Sequence, residues 1–300
     1  MKSSAASKPA PTPIIVVVTK ADPALPAFVV LSPTSLAIRA GTEIAFGGRT
    51  ISFAAETPLS LPELVVGPYV AAIKTDDTVE VCAAGDGIEA GSVIFGGFYF
   101  APGGNAPARA GGGIIPAINP DSCWDECFRP AAPSPHGMRL VVNSPGAPWL
   151  LPFWDDIFPL CVDHLDGTSQ HGQKVADGRN RPRRIDGNGY YDNLNYYTAV
   201  EILAHHGKQV PSDTEFRAAA YGVTERSSAG TRVETTRLDA KRTSRSGGMM
   251  ETGHRWCWGH DGDPDKPEAV LLGGLWGVGA NSGSRASFWY SLPSYSYGSF

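Results

Sequence analysis

The spacing of glycine and proline is the feature that most limits what this chain can fold into. Glycine occurs 35 times and proline 25 times in 300 residues. The two are scattered among short apolar runs without a Gly-X-Y period, which excludes a collagen-like rod. Because both residues interrupt regular structure, the chain must be built from many short elements joined by turns and irregular loops.

The first third of the chain is predicted to be all β. Residues 1–13 are polar and Pro-rich and indicate a disordered leader. In residues 14–100, runs rich in β-branched side chains are interrupted by Gly, Pro or Asp about every 8–12 residues, which is typical of a small sandwich-like β domain. The predicted strands are residues 14–19, 28–31, 36–38, 51–54, 69–73 and 79–82.

The remainder is predicted to be an α+β domain. Residues 101–118 are rich in Gly, Pro and Ala and indicate a connector, so the second domain spans residues 119–300. Two helices followed by short strands and long loops are typical of the α+β class.

Two helices are expected in this domain. Residues 194–206 carry apolar side chains at helical spacing, and either Asp192 or Asn193 is the expected N-terminal cap. A second helix is expected after Ser212, because Ser212 and Glu215 have the spacing of a capping box.

Composition argues against several classes of function. The net charge of −5 gives no general attraction to nucleic acid, and the basic run at residues 179–184 is predicted to be a solvated loop. No apolar stretch approaches the roughly 20 residues of a membrane helix, so membrane insertion is not expected. The five cysteines are too few and too irregular for a disulfide framework and are expected to be buried free thiols. They are Cys82, Cys123, Cys127, Cys161 and Cys257.

The last thirty residues are chemically unlike the rest. Residues 271–300 hold seven aromatic residues, seven serines and six glycines but a single charge, Arg285. Tyr, Ser, Gly and Asn together are typical of binding loops, where tyrosine supplies contact area and the small polar residues adapt their hydrogen bonds. Alternation of residues 275, 277, 279 and 281 with their neighbours predicts extended backbone that displays one set of side chains. An ordinary edge strand with surface aromatics remains the alternative.

Several motifs resemble one known family, the tropism-determining proteins of phage tail fibres that are diversified by retroelements. In the final segment these are residues 273–276 (GGLW), 282–286 (SGSRA), 289–291 (WYS) and 293–296 (PSYS). Upstream, residues 96–103, 128–132, 162–169 and 205–208 are similar to the same family. The resemblance covers most of residues 15–300. The sequence departs from the family in two ways: no N-terminal β-prism is expected, and the sequence ends at Phe300, whereas the family continues past the variable region. The first departure leaves the mode of attachment to a virion open.

The resemblance implies a C-type-lectin-like fold for residues 119–300, with a variable region at 275–300. It further implies a homotrimer at the tip of a tail fibre, made in the host cytoplasm, that binds a protein or glycan receptor on the host cell and needs no cofactor. The implied variable positions are Leu275, Gly277, Gly279, Asn281, Phe288, Tyr290, Ser291, Tyr295, Tyr297, Ser299 and Phe300. The implied fixed scaffold between them is Trp276, Arg285, Trp289 and Pro293.

Other readings are open at this point. A bacterial surface adhesin would use the same fold and mechanism. Formylglycine-generating oxidases share the fold, but they need a reactive cysteine pair near the end of the domain, and residues 258–300 contain none. Catalysis is therefore not expected. Asp261, Asp263 and Asp265 have the spacing of a calcium loop without its later Gly and Glu, so a solvated turn is preferred to a metal site.

Overall fold

A computed structural model describes residues 14–102, 117–263, 266, 268–289 and 292–296. The predicted leader, and the predicted connector apart from residues 101, 102, 117 and 118, lie outside the described residues. The described chain is mostly β, with two short α-helices and several single 3-10 turns.

Nine strands form the N-terminal part, and every strand predicted from the sequence coincides with one of them. They associate into a sheet of order β1-β4-β5, a sheet of order β2-β3-β6, and a sheet in which β9-β7-β8 are neighbours. All pairings are antiparallel. The strands are β1 Val16–Thr19, β2 Phe28–Ser32, β3 Ser35–Ile38, β4 Thr42–Phe46, β5 Arg49–Phe53, β6 Thr57–Pro58, β7 Gly67–Ile73, β8 Val79–Ala83 and β9 Val93–Phe100.

The three sheets enclose one apolar core. Phe28, Ile38 and Ile44 from the two smaller sheets are buried in the same cluster as Tyr69 and Phe95 from the larger one. The Tyr69 ring stacks on Phe98 with centroids 5.3 Å apart. Burial of aromatic and branched side chains from all three sheets is the main stabilising contribution here.

A short strand, β10 (Trp124–Asp125), attaches the chain beyond the connector to β9. Two glycines in β9 allow this close approach: a Cβ on Gly96 would lie 2.5 Å from the Trp124 carbonyl oxygen, and one on Gly97 would lie 2.9 Å from the Trp124 indole nitrogen. The buried Asp125 carboxylate accepts hydrogen bonds from Lys20 Nζ at 2.6 Å and from the Ala27 amide at 2.7 Å. The two parts of the chain are therefore joined by a paired strand and a buried ion pair.

The C-terminal part contains the remaining elements. They are β11 Met138–Val141, β12 Phe153–Asp156, α1 Tyr196–His205, α2 Asp213–Ala219, β13 Cys257–His260, β14 Ala269–Leu272 and β15 Ser287–Phe288. Strands β11 and β12 form a hairpin, and β13-β14-β15 form an antiparallel sheet.

Both predicted helices are present, but the first begins later than expected. Neither Asp192 nor Asn193 is its cap: Asn195 is, and its Oδ1 accepts a hydrogen bond from the Thr198 amide at 2.9 Å. The capping box of α2 is confirmed. Ser212 Oγ accepts from the Glu215 amide at 3.2 Å, and the Glu215 carboxylate accepts from the Ser212 amide at 2.8 Å. A local capping rule thus predicts α2 correctly, whereas three polar residues compete to begin α1.

A buried arginine joins the elements of the C-terminal part. Arg139 of β11 is fully buried and donates to Asp155 of β12 at 2.9 Å and to Glu251 at 2.7 Å. It also donates to the carbonyl at the end of α2, on Ala219, at 3.2 Å. Since a buried charge is tolerated only when its donors are matched, this residue fixes the hairpin, α2 and the 251 segment relative to one another.

Two expectations about single residues are corrected. All five cysteines are free, but only Cys123 and Cys161 are buried; Cys127 is exposed, and Cys82 and Cys257 are half-buried. The basic run is only partly the solvated loop that was expected: Arg179, Arg181 and Arg184 are exposed, but Pro182 is buried and Arg183 is half-buried. Within the described ranges, no helix has the length and apolar character needed to cross a membrane.

Candidate binding surface

The Gly-, Ser- and aromatic-rich segment starts at a tight reversal after β14. Gly273 and Gly274 have φ of +86° and +83°, a conformation that favours glycine. The Gly273 amide donates to the Ala286 carbonyl at 2.8 Å, and the Gly273 carbonyl accepts from the Gly283 amide at 3.1 Å. These two bonds close residues 275–282 into a loop at the edge of the β13-β14-β15 sheet.

The main chain of this loop is held by hydrogen bonds from other segments. The Trp276 amide donates to the His254 carbonyl at 3.2 Å, and the Trp276 carbonyl accepts from the Gly230 amide at 2.9 Å. The Gly279 amide donates to Ser228 Oγ at 3.1 Å. Residues 228–230 and His254, which are distant in the sequence, therefore fix the loop by bonding to its main-chain atoms and not to its side chains.

Small buried residues complete the attachment. Ser282 Oγ donates to the Leu275 carbonyl at 3.2 Å, across the base of the loop. The Ser284 amide donates to the Glu225 carboxylate at 3.2 Å, and the Ser284 hydroxyl bonds to the same oxygen. Gly283, between them, has φ of +150°, and a Cβ there would lie 2.0 Å from the Glu225 carboxylate. A larger residue at 283 would displace this contact.

An ion pair between Asp239 and Arg242 lies next to His254, which bonds to the loop. His254 Nε2 lies 3.0 Å from an oxygen of Asp239, which Arg242 also contacts at 3.2 Å. Although burial raises the pKa of Asp239, the hydrogen bond from His254 and the charge of Arg242 lower it to about 2. Burial lowers the pKa of His254 despite its partner. Asp239 is therefore ionised at neutral pH. It fixes His254, whose carbonyl accepts the hydrogen bond from the Trp276 amide.

The described candidate variable residues mostly lie on the surface. Gly277, Gly279, Asn281 and Phe288 are exposed, and the Tyr295 side chain is 47% exposed. Leu275 is half-buried. The other candidates lie outside the described residues: Tyr290, Ser291, Tyr297, Ser299 and Phe300.

The implied scaffold residues differ in burial. Trp276 and Pro293 are half-buried, and the Pro293 carbonyl accepts from the Tyr196 amide at 3.1 Å. Arg285 is exposed. Trp289 is not a core residue: it is 40% exposed, with its indole N–H directed to Ser287 Oγ at 3.0 Å.

The extended strand predicted for residues 275–281 is wrong. Leu275 forms a single bridge to His254, the chain then turns, and Gly279–Asn281 is a 3-10 turn. The glycines at 273, 274 and 279, all with positive φ, bend the chain away from strand geometry. The exposed residues are displayed by a folded loop and not by alternation along a strand.

Sequence reasoning missed the residues that hold the loop. Glu225, Ser228 and Gly230 lie in a polar stretch, residues 222–253, that reads as an insert without structure of its own. Their partners are 46 to 59 positions away in the chain, and short motifs report only local contacts. A buried histidine, His254, carried no local signal either.

The acidic turn at 261–265 shows no metal geometry where it is described. In the described part of the chain, no group of three His, Cys, Asp or Glu side chains could hold a metal ion. Asp261 Oδ1 instead accepts from the amides of Asp263 and Glu268, each at 3.1 Å, and these bonds lower the pKa of Asp261. Asp265 lies outside the described residues.

Comparison with known proteins identifies relatives along nearly the whole chain, although no family model matches. The tail fiber receptor-binding protein of Bordetella phage BPP-1 is 36% identical over 319 residues, covering 94% of this chain and 82% of that protein. Among solved structures, the Major Tropism Determinant M1 variant is 35% identical with a TM-score of 0.82, covering 95% of this chain and 83% of its own. The P3c variant is 34% identical, with a TM-score of 0.83 and coverage of 95% and 84%.

The mostly β fold is thus shared with the Major Tropism Determinant variants, and the sequence with a phage tail fiber receptor-binding protein. At this level of identity and coverage, the likeness extends beyond the fold. The chain belongs to the major tropism determinant family.

Proposed function

We propose that this chain binds a receptor on a host cell and thereby determines the tropism of a phage, from a position on the tail fibre of the virion. One observation carries the proposal: the loop at 275–282 is fixed through main-chain atoms of Trp276 and Gly279, while Gly277, Gly279 and Asn281 face solvent. Because the hydrogen bonds that fix the loop run to its main chain, side chains at positions 277 and 281 are available for recognition.

Three finer points belong to the same proposal. Residues 119–300 form a C-type-lectin-like domain, the protein is a homotrimer, and the eleven candidate positions are diversified by a retroelement. The composition of those positions supports the last point. None of the eleven is Lys, Glu, Gln, Met or Trp, and all are residue types that pyrimidine-ending codons encode. A near-copy of the codons for residues 271–300, differing only at adenines and adjacent to a reverse transcriptase gene, is the expected genomic finding.

The candidate variable positions carry no charge, and this predicts how binding behaves. Affinity must come from aromatic burial and neutral hydrogen bonds, so each site is expected to bind at about micromolar Kd, near −8 kcal/mol. Several copies engaged together raise the effective affinity by about 10²–10⁴. Weak dependence on salt is expected as well, because screening acts on charge pairs.

The test measures binding of the purified, labelled full chain to a panel of intact bacterial strains. Tyr295→Ala and Phe288→Ala are each expected to weaken binding about tenfold, as truncated aromatic contacts do. Leu31→Ala, at an exposed position of β2, is the matched control and is expected to bind like the wild type. Binding of the wild type to no strain, or equal binding by all variants, would overturn the proposal.

An oxidase is not proposed. The relatives are named for receptor binding and tropism. Burial raises the pKa of Cys257, the last cysteine of the chain, to about 12. This thiol is therefore protonated at neutral pH, which is unsuited to thiolate chemistry.

A further inference from the structure

We propose that Tyr197, on helix α1 and outside the segment that varies, is an additional contact for a protein receptor that binds the 275–296 face. The inference rests on the proposed function and extends the binding surface to a second element. Tyr197 is 62% exposed, compared with 52% for Tyr190 and 47% for Tyr295.

The first turn of α1 is joined directly to the end of the candidate binding surface. The Tyr196 amide, one of the helix donors that have no partner within the helix, donates to the Pro293 carbonyl at 3.1 Å. The Tyr295 amide donates to the Leu292 carbonyl at 2.9 Å, which folds residues 292–295 into a turn at this point. Because Tyr197 and Leu292 each adjoin a bonded residue, their Cα atoms are at most about 14 Å apart.

Tyr196, and not Tyr197, packs helix α1 against the core, so the Tyr197 side chain lies on the surface. Tyr196 is half-buried, with its ring 6.0 Å from that of Trp258 in an edge-on arrangement. The Tyr197 ring meets the Tyr196 ring edge-on at 6.1 Å. The helix itself is held by the Asn195 cap. Tyr197 is therefore oriented by a fixed neighbour and presented on the surface, an arrangement that lowers the entropy lost on binding.

The exposed side chains around this junction indicate the chemistry of the partner. Leu292, Phe288 and Tyr295 are all exposed, and none carries a charge. Aliphatic and aromatic groups of this kind fit apolar side chains on a protein, whereas a glycan needs a set of convergent polar groups. We therefore take a protein surface as the occupant.

Tyr197 lies outside the proposed variable segment, and this determines the role that we expect for it. Substitutions within 275–300 alter which receptor is bound, whereas Tyr197 stays the same in every version of the face. Its contribution is then common to all versions and adds affinity without choosing the receptor. Tyrosine suits this use, because its ring packs against many apolar partners while its hydroxyl remains hydrated.

The experiment compares Tyr197→Ala, Tyr197→Phe and the wild type, as labelled full chains on intact cells of a strain that the wild type binds. Tyr197→Ala is expected to bind about tenfold more weakly with an unchanged thermal midpoint, and Tyr197→Phe is expected to retain most of the affinity. Protease treatment of the cells beforehand is expected to abolish binding.

Each outcome separates the two proposals. If the wild type binds no strain, the proposed function is overturned and this inference with it. If Tyr295→Ala weakens binding but Tyr197→Ala does not, only the role of Tyr197 is overturned. A lowered thermal midpoint for Tyr197→Ala that accounts for its loss of binding would assign it to the fold instead. Binding that survives protease treatment would overturn the protein partner.

Discussion

At the scale of single residues, the tryptophans show how weakly residue type predicts burial. Trp258 on β13 is 5% exposed, and its indole N–H donates to the Leu194 carbonyl at 3.2 Å. Trp289 is 40% exposed and directs its indole N–H to the nearby Ser287. Both were large aromatic residues beside strand-like sequence, and only the three-dimensional arrangement distinguishes them. Trp289 adds to the exposed apolar surface, whereas Trp258 belongs to the core.

The two tryptophans should respond oppositely to truncation. Trp258→Ala is expected to lower the free energy of unfolding by about 3–5 kcal/mol, because it leaves a cavity and an unpaired carbonyl. Trp289→Ala is expected to change it by less than about 1 kcal/mol. Urea denaturation of both variants beside the wild type measures this. Equal destabilisation by the two would mean that Trp289 is buried in the assembled protein.

At the scale of elements, local rules succeeded where the signal is local. The N-terminal strands follow from β-branched runs bounded by Gly, Pro and Asp, and α2 follows from one capping box. The loop at 275–282 did not follow, because its shape depends on Gly230, Ser228 and Glu225, which lie far away in the chain. The alternation of small and large residues occurs both in strands and in glycine-rich loops, so it does not distinguish the two structures. Among the described candidate positions, Gly277, Gly279, Asn281, Phe288 and Tyr295 are exposed, but the backbone that displays residues 275–281 was predicted wrongly.

Two glycines in this element provide a matched pair for a test. Gly274 has φ of +83°, and a Cβ there would lie 2.7 Å from Ser282 Cα. Gly274→Ala is therefore expected to cost about 2 kcal/mol or more and to weaken receptor binding by misplacing the loop. A Cβ on Gly277 would find its nearest neighbour 3.6 Å away, on the flexible Leu275 side chain.

Gly277→Ala is accordingly expected to leave the unfolding free energy within about 0.5 kcal/mol of the wild type. The two variants are compared by chemical denaturation and by binding to cells. A destabilised Gly277→Ala beside an intact Gly274→Ala would contradict the backbone-held loop.

At the scale of the whole molecule, buried histidines make stability depend on pH. His164 Nε2 lies 2.7 Å from the Arg183 carbonyl, which only accepts, so this nitrogen carries the proton. His164 Nδ1 then accepts from His206 Nε2, 2.9 Å away. This bond is lost when both rings are protonated, because both facing nitrogens then carry a proton. Burial, with the nearby charges of His164 and His205, lowers the pKa of His206 to about 4, and burial also lowers that of His164.

The sign of the pH effect follows from these lowered pKa values. Unfolded histidine takes up a proton near pH 6.5, whereas His206 in the fold does so only near pH 4. Its contribution is complete above about pH 6.5 and is lost as the pH falls towards 4, by about 1–2 kcal/mol after allowance for partial exposure. Urea midpoints are expected to be level from pH 7 to 8 and to fall below pH 6.

A matched pair of substitutions isolates the histidine contact. His206→Gln is expected to lower stability at pH 7.5 and to flatten the decline between pH 6.5 and 4.5. His205→Gln, at the exposed neighbouring position, is expected to change the profile only slightly, because the charge of His205 lowers the His206 pKa less than burial does. An unchanged slope in His206→Gln would show that the acid sensitivity comes from other groups, such as His136 or His171, whose pKa values burial also lowers.

The backbone-held loop has a consequence for how new specificities arise. If side chains at the displayed positions contribute little to folding, a random library of them yields folded molecules at nearly the same rate as the parent. Screening then acts on recognition alone, and few clones are discarded as misfolded. The limit falls on Gly274, Gly283 and Ser284, which a useful library must leave unmutated. It also falls on the displayed Gly279, whose φ of +54° favours glycine. The same division would let this fold serve as a display framework for targets that it never met in nature.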